Sequence, residues 1–231
     1  MGTRSSMHLR YRCLVVDHDD TSVMSTPGIH YPAHVEAMRV LRPGTQPVSL
    51  EGFLRKSFDP GFYPFLTQEI GLDGAEVAAS YEIWRNYTAA RVPRFFPGVL
   101  EVYARQKARG GLLVVVSHSE VSMIERDYRA AASDGPAVMP DLIFGWDEDP
   151  RRRKPDPYPV VEAMRSFGLA RDEVLVLDDL KPGADMASAA GVDFAAAGWG
   201  HAIEEIKRGM RGLGKYYFEK VEDMSSALFD R

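Results

Sequence analysis

Three observations predict a doubly wound α/β fold, in which a parallel sheet carries helices on both faces and a helical insertion follows its first strand. Short apolar, β-branched runs recur at 13–17 (CLVVD), 112–117 (LLVVVS), 141–144 (DLIF) and 174–179 (VLVLDD). From residue 97 onward, amphipathic stretches of helical length alternate with them. Between the first run and the second, the chain is long and mostly helical in pattern. Runs this short and continuously apolar suit strands buried on both faces. Their alternation with helices gives an α/β layer architecture.

Taken in order, the first strand is 13–17. Helix-spaced apolar positions then predict helices over 31–41 (YPAHVEAMRVL), 49–57 (SLEGFLRKS) and 74–91 (GAEVAASYEIWRNYTAAR), punctuated by Pro43-Gly44 and Pro60-Gly61. A segment this long is not a simple crossover. It reads as a small helical unit, residues 23–93, set into a core formed by 1–22 and 94–231. In an open α/β sheet such a unit would sit over the carboxyl ends of the strands, where ligands bind. A helix over 97–108 opens with Pro97 and stops before Gly110-Gly111. The next, 119–132, starts at Ser119 as N-cap with Glu120 in its first turn. Helices over 157–167 and 182–190 complete the set, the last ended by Gly191.

Composition narrows the class. A chain of 231 residues is one large domain, or one domain with an insert. An apolar share of 45% excludes a disordered or collagen-like chain. With 28 Lys+Arg against 33 Asp+Glu, the net charge of −5 supplies no field for nucleic acid or anionic membrane. The one cysteine, Cys13, lies in an apolar run and reads as a small buried hydrophobe. No stretch reaches the roughly 18–20 apolar residues of a spanning helix, and MGTRSSMHLR is followed by no apolar signal region. The expectation is a cytoplasmic protein with neither nucleic-acid nor membrane partners, as a monomer or homodimer.

The predicted strands end in reactive groups. The first ends in Asp17-His18-Asp19-Asp20-Thr21, the second in Ser117 and the fourth in Asp178-Asp179, while Lys154 follows the third. Ends of parallel strands on one sheet edge converge, so these groups should share a site. Crowded carboxylates repel unless protonated or bridged by a hard divalent cation such as Mg²⁺. A lysine and a hydroxyl beside them suit phosphate oxygens.

This ordered set resembles the haloacid dehalogenase superfamily of Rossmann-like hydrolases, dominated by phosphatases and phosphomutases. Asp17, Asp19 and Thr21 match its Asp-x-Asp-x-Thr motif, Ser117 its strand-ending hydroxyl, Lys154-Pro155 its lysine motif, and Asp178 and Asp179 its acidic pair. The insertion then resembles the helical cap of many members. The resemblance implies Asp17 as nucleophile forming an aspartyl-phosphate, and Asp19 as general acid and then base. It implies Ser117 and Lys154 as clamps on the phosphoryl oxygens, with His118 as a further phosphate-binding residue. Mg²⁺ would be held by the carboxylates of Asp17 and Asp179 and the backbone carbonyl of Asp19, with Asp178 adjacent or acting through water. Counting back from the Ala190-Gly191 helix end favours Asp179 as the direct ligand. An acid at position 19 points to phosphate monoesters, because a departing halide needs no proton.

The expected function is Mg²⁺-dependent hydrolysis of a small phosphorylated metabolite. The rival readings are a phosphomutase on the same fold and a non-catalytic member that binds a phospho-ligand or protein. Asp20 and Ser22 depart from the glycine and leucine common in the first motif; Asp20 could restrain its loop or cap a local N–H. Arg151, Arg152 and Arg153 read as a solvated face. His18 and His118 match no zinc spacing, and so many carboxylates favour Mg²⁺ over zinc. His30 and His34 either line the mouth of the site or belong to an ordinary loop-to-helix junction. Trp84 and Tyr87 read as packing within their helix, and Trp146 and Trp199 as core or rim.

Overall fold

The computed structural model describes residues 9–133 and 135–229. Its frame is a six-stranded parallel sheet of β1 (Cys13–Val16), β4 (Leu112–Val116), β5 (Leu142–Phe144), β6 (Val174–Asp178), β7 (Asp193–Ala197) and β8 (Tyr216–Phe218). The strand order is β5-β4-β1-β6-β7-β8, and a two-stranded ribbon pairs β2 (Val23–Met24) with β3 (Arg94–Phe95). The sheet is buried on both faces, as its unbroken apolar runs require. Leu14, Val16, Leu113, Val115, Leu175 and Leu177 face one core, packed on α5 (Val99–Ala108), α6 (Val121–Ala131) and α10 (Val221–Phe229). The alternate residues Cys13, Val15, Val114, Val116, Val174 and Val176 face the other, under α7 (Tyr158–Phe167), α8 (Lys181–Ala190) and α9 (Glu204–Arg211). That strict period of two makes β1, β4 and β6 the rigid centre of the molecule.

The ends of β1, β4 and β6 lie side by side, where the chain winds outward from β1 through β4 to β5 and then crosses back to β6 on the other side of β1. This is the switch point at which open α/β sheets bind ligands. Two strands of this sheet went unread in the sequence, β7 (DFAAA), which has alanine at three of its five positions, and β8, which spans three residues; so did β2 and β3 of the ribbon. The four predicted strands all form, and α8 ends at Gly191, whose positive φ of 72° suits a residue without a side chain.

Between β1 and β4 the chain forms α1 (Tyr31–Leu41), α2 (Leu50–Lys56), the single turn α3 (Phe62–Pro64) and α4 (Gly74–Ala89). Their ends follow from local chemistry. Ser49 Oγ caps α2 by accepting from Gly52 N at 3.1 Å. Asp73 caps α4 through Glu76 N at 2.9 Å, and Glu76 accepts in return from Asp73 N at 3.0 Å. Arg42 ties α1 to that cap through Glu76 Oε2 at 2.8 Å.

The insertion has a small apolar centre in which His34 packs among Phe53, Phe62 and Phe65. His34 Nε2 is buried without a hydrogen-bond partner. Burial therefore pushes its imidazole down to about 4 from an ordinary 6.5. A histidine depressed on folding stays neutral in the native state while the unfolded chain takes the proton. The stability it contributes is full above about 6.5 and is lost as the pH falls toward about 4. Urea unfolding of His34→Phe should lose less stability than the wild type between pH 7 and pH 4.5, by up to about 3 kcal/mol. Parallel curves for the two proteins would show that His34 is not the acid-sensitive group.

Candidate active site

Four loops at the carboxyl ends of the strands build the site. Asp17 follows β1, Ser117 follows β4, Asp178 ends β6 with Asp179 next, and Lys154 comes from the loop between β5 and α7. All five side chains are buried. Oxygens of Asp17, Asp178 and Asp179 lie within 4.8 Å of one another. Lys154 Nζ donates to Asp17 Oδ1 and to Asp178 Oδ2, both at 2.7 Å. Thr21 Oγ1 donates to Asp179 Oδ1 at 3.0 Å, and Asp179 Oδ2 has no aligned hydrogen-bond partner.

Burial, only partly offset by Lys154, raises Asp17 well above the usual carboxylate range, and Asp178, Asp179 and Asp19 push it further. Burial also raises Asp178, against the opposing charge of Lys154. Burial opposes the lysine charge, but Asp17 and Asp178 outweigh it and hold the ammonium above its ordinary value. One ammonium cannot neutralise three buried carboxylates. An all-oxygen group with surplus negative charge and an unpartnered carboxylate oxygen suits a hard divalent cation. Among the described residues this is the group of acids that fits one.

Asp19 points away from that trio. Its Oδ1 lies 2.7 Å from His30 Nε2, and its Oδ2 accepts from Ser119 Oγ at 2.7 Å and from Ser117 Oγ at 3.2 Å. Burial opposes its charge, yet the His30 ring, His18 and the Ser119 hydroxyl together hold it well below the usual carboxylate range. Trp84 Nε1 donates to His30 Nδ1 at 2.9 Å. An indole N–H only donates, so this bond leaves Nε2 to carry the ring proton toward Asp19. His30 precedes α1 and Trp84 lies on α4; both belong to the insertion and reach over the strand ends.

The remaining expectations divide. His118 is exposed, and its Nε2 lies 3.1 Å from the Lys154 carbonyl, so it braces the lysine loop at the site's edge. His18 is buried with Asp127 at 3.1 Å and stacks on Tyr128, outside the carboxylate trio. Asp20 accepts from Ser25 N at 3.2 Å and Thr26 N at 3.0 Å, restraining its loop at a φ of 56°. Trp199 Nε1 ties the first motif to the β7 loop through the Thr21 carbonyl at 3.0 Å, while Trp146 stays at the rim, 36% exposed. Arg151 and Arg152 are solvated as expected, but Arg153 lies over the Trp146 ring at 3.9 Å from its centroid. An aromatic face beside a guanidinium makes packing competitive with solvation there.

Ser119 does not cap its helix: α6 begins at Val121 with Glu120 at the cap position, and the serine hydroxyl goes to Asp19. The buried carboxylate is the stronger acceptor, and a charge-assisted bond outweighs a cap. Sequence reasoning thus missed Ser119 as a site residue, and gave no role to His201, whose Nε2 lies 2.5 Å from Asp179 Oδ2. Neither stands in a motif, and no local pattern marks them.

Comparison with known proteins decides the family. Residues 66–197, over half the chain, match the model described as "Haloacid dehalogenase-like hydrolase". The chain belongs to that family. The match spans Ser117, Lys154, Asp178 and Asp179, while Asp17 and Asp19 lie upstream of it. The phosphoglycolate phosphatase of Thiobacillus denitrificans is 24% identical over 203 residues, 85% of this chain and 87% of that protein. A crystal structure provisionally named a phosphoglycolate phosphatase from Lactobacillus plantarum superimposes with a TM-score of 0.72 at 22% identity. It covers 93% of this chain and 97% of its own. A provisionally named haloacid dehalogenase-like hydrolase from Bacteroides fragilis gives a TM-score of 0.75 at 20% identity, over 93% and 99% of the two chains. The protein is therefore a hydrolase with the fold of these relatives. No helix among the described residues is long and apolar enough to cross a membrane.

Proposed function

We propose that this hydrolase is a divalent-cation-dependent phosphatase acting on a small organic phosphate monoester through an aspartyl-phosphate. The observation that carries the reading is the buried trio Asp17, Asp178 and Asp179, bridged by Lys154 and still short of positive charge. Asp17 Oδ attacks phosphorus and the ester oxygen departs, taking a proton from the Asp19 carboxyl. Water then attacks the phosphorus of the aspartyl-phosphate and gives its proton to the Asp19 carboxylate, which releases inorganic phosphate and restores both acids. Asp19 is held as the carboxylate here, the form that the second half requires. Ser117 and Lys154 stand where the equatorial phosphoryl oxygens gather charge, and positioning with electrostatics supplies most of the acceleration.

Asp17, the Asp19 carbonyl and Asp179, with Asp178 adjacent, would hold Mg²⁺. The cation supplies charge neutralisation at the transferring group. Residues 23–93 act as the cap: His30 and Trp84 reach the acid–base residue from above and exclude bulk water. The names of the relatives make phosphoglycolate the first substrate to test. Phosphate release from phosphoglycolate should require Mg²⁺ and stop with EDTA. Release that survives exhaustive chelation would defeat the cation-dependent reading, and isomerised sugar phosphate without released phosphate would make the protein a mutase.

Replacing the acid–base residue separates the two half-reactions. Asp19→Asn should lower turnover of an alkyl phosphate by about 10²–10⁴-fold. An aryl phosphate, whose leaving oxygen needs no proton, should still phosphorylate Asp17, and the phospho-enzyme should accumulate in acid-quenched samples. Equal losses on both substrates without phospho-enzyme would remove Asp19 from this role.

A further inference from the structure

A fifth strand end touches the acidic centre, beyond the four motif loops. β7 ends at Ala197, and residues 198–201 (GWGH) fold back over the site. A Cβ on Gly200 would strike the Asp20 carbonyl and come within 2.9 Å of Asp179 Cβ, so the backbone lies this close only with glycine there. The approach delivers His201, 7% exposed, with Nε2 at 2.5 Å from Asp179 Oδ2. The contact is off the axis of a hydrogen bond, and both ring nitrogens of His201 and Asp179 Oδ2 are left without aligned partners. Tyr217 Oη is equally buried and equally unpartnered.

Asp179, His201 and Tyr217 line one small cavity of about 10 Å³ together with Ile206, Lys207 and Met210. Buried polar groups left without aligned partners are costly, which ties the His201 ring to the one carboxylate beside it. On the far side, Thr21 holds the other oxygen of Asp179 at 3.0 Å. The carboxylate is thus approached at both oxygens, by a hydrogen bond from the first-motif loop and by the His201 ring from the β7 loop.

We propose that His201 is a positioning residue for Asp179 and fixes that carboxylate in its cation-binding orientation. The inference rests on the cation reading given above. Metal-ligating carboxylates depend on such outer partners, whose removal typically costs about 10–100-fold in metal affinity. Calorimetric titration of the metal-free protein with MgCl₂ should therefore show the dissociation constant rising about 10–100-fold in His201→Ala. His201→Gln, which retains an N–H donor, should recover part of that loss. The metal-free melting temperature of the Gln variant checks that the loop still packs, and that variant carries the test if the alanine variant fails to fold. Dissociation constants within about twofold of the wild type in both His201 variants would overturn the inference alone, since outer-partner loss is expected to be far larger. A wild type that takes up no Mg²⁺ would overturn the cation reading together with it.

Discussion

Asp17→Asn is expected to abolish phosphate release while leaving the protein folded. An amide oxygen cannot form the acyl-phosphate, so the loss should be at least about 10⁴-fold, the scale on which covalent nucleophiles are missed. Stability should move the other way. Asp17 is buried among like charges that hold its carboxyl well above the ordinary range, so its ionised form costs more in the fold than in the unfolded chain. Removing that charge relieves the cluster, and the amide oxygen can still accept from Lys154 at the 2.7 Å that Oδ1 now occupies. A dead enzyme with an unchanged or raised melting temperature at pH 7 is the expected pair of results, read by phosphate release and thermal unfolding. No acid-stable phospho-enzyme should be trapped. Turnover that survives the substitution would exclude Asp17 as nucleophile, and a collapse in stability would mean that Asp17 is chiefly structural.

The central strands were legible because burial on both faces leaves a continuous apolar, branched run too short to be a buried helix. CLVV, LLVVV and VLVLD each form a strand. The helices of the insertion were readable from apolar spacing: 31–41 is α1 itself and 74–91 holds α4, while the capping box of Asp73 and Glu76 that starts α4 went unread. What escaped was the far edge of the sheet. β7 is held by neighbours more than by its own preference, since alanine is a poor strand former and its small side chain suits close helix packing. The broken turns between Ser57 and Glu69 also lack a period to read.

The site was legible where the backbone fixes it. Asp17, Ser117 and Asp178 each end a strand, so sheet topology alone brings them together, and Lys154 follows from its motif. The environment of Asp19 was not legible. His30, Ser119 and Trp84 come from three separate elements, and only the folded chain reveals that they converge on one carboxylate and one imidazole. The Ser119 expectation fails because a propensity for capping takes no account of the charge waiting beside it. His201 lay hidden for a related reason: it follows a strand that could not be seen.

Lys154→Met should be both the least active of the clamp substitutions and the most damaging to the fold. The methionine keeps the length of the stem and removes the ammonium that two buried carboxylates share. Breaking one side of a buried pair typically costs about 3–5 kcal/mol, because the partner charge stays in a dry site. Here the carboxylates have an escape, protonation, and this gives the effect a pH signature. Without Lys154, which now pulls both groups down, Asp17 and Asp178 rise further above their unfolded values. Groups raised on folding stabilise the native state below their unfolded values and lose that contribution as the pH climbs toward the folded ones. The stability deficit of Lys154→Met should therefore be small near pH 4 and grow toward pH 7, in chemical unfolding at the two values. Because a divalent cation would neutralise the same oxygens, added Mg²⁺ should stabilise the variant more than the wild type. Activity should fall by at least about 10²–10³-fold, the loss expected when one charge-stabilising donor leaves a transferring group. A deficit that is equal at both pH values would mean that the lysine stem, and not its charge, holds the strand ends together.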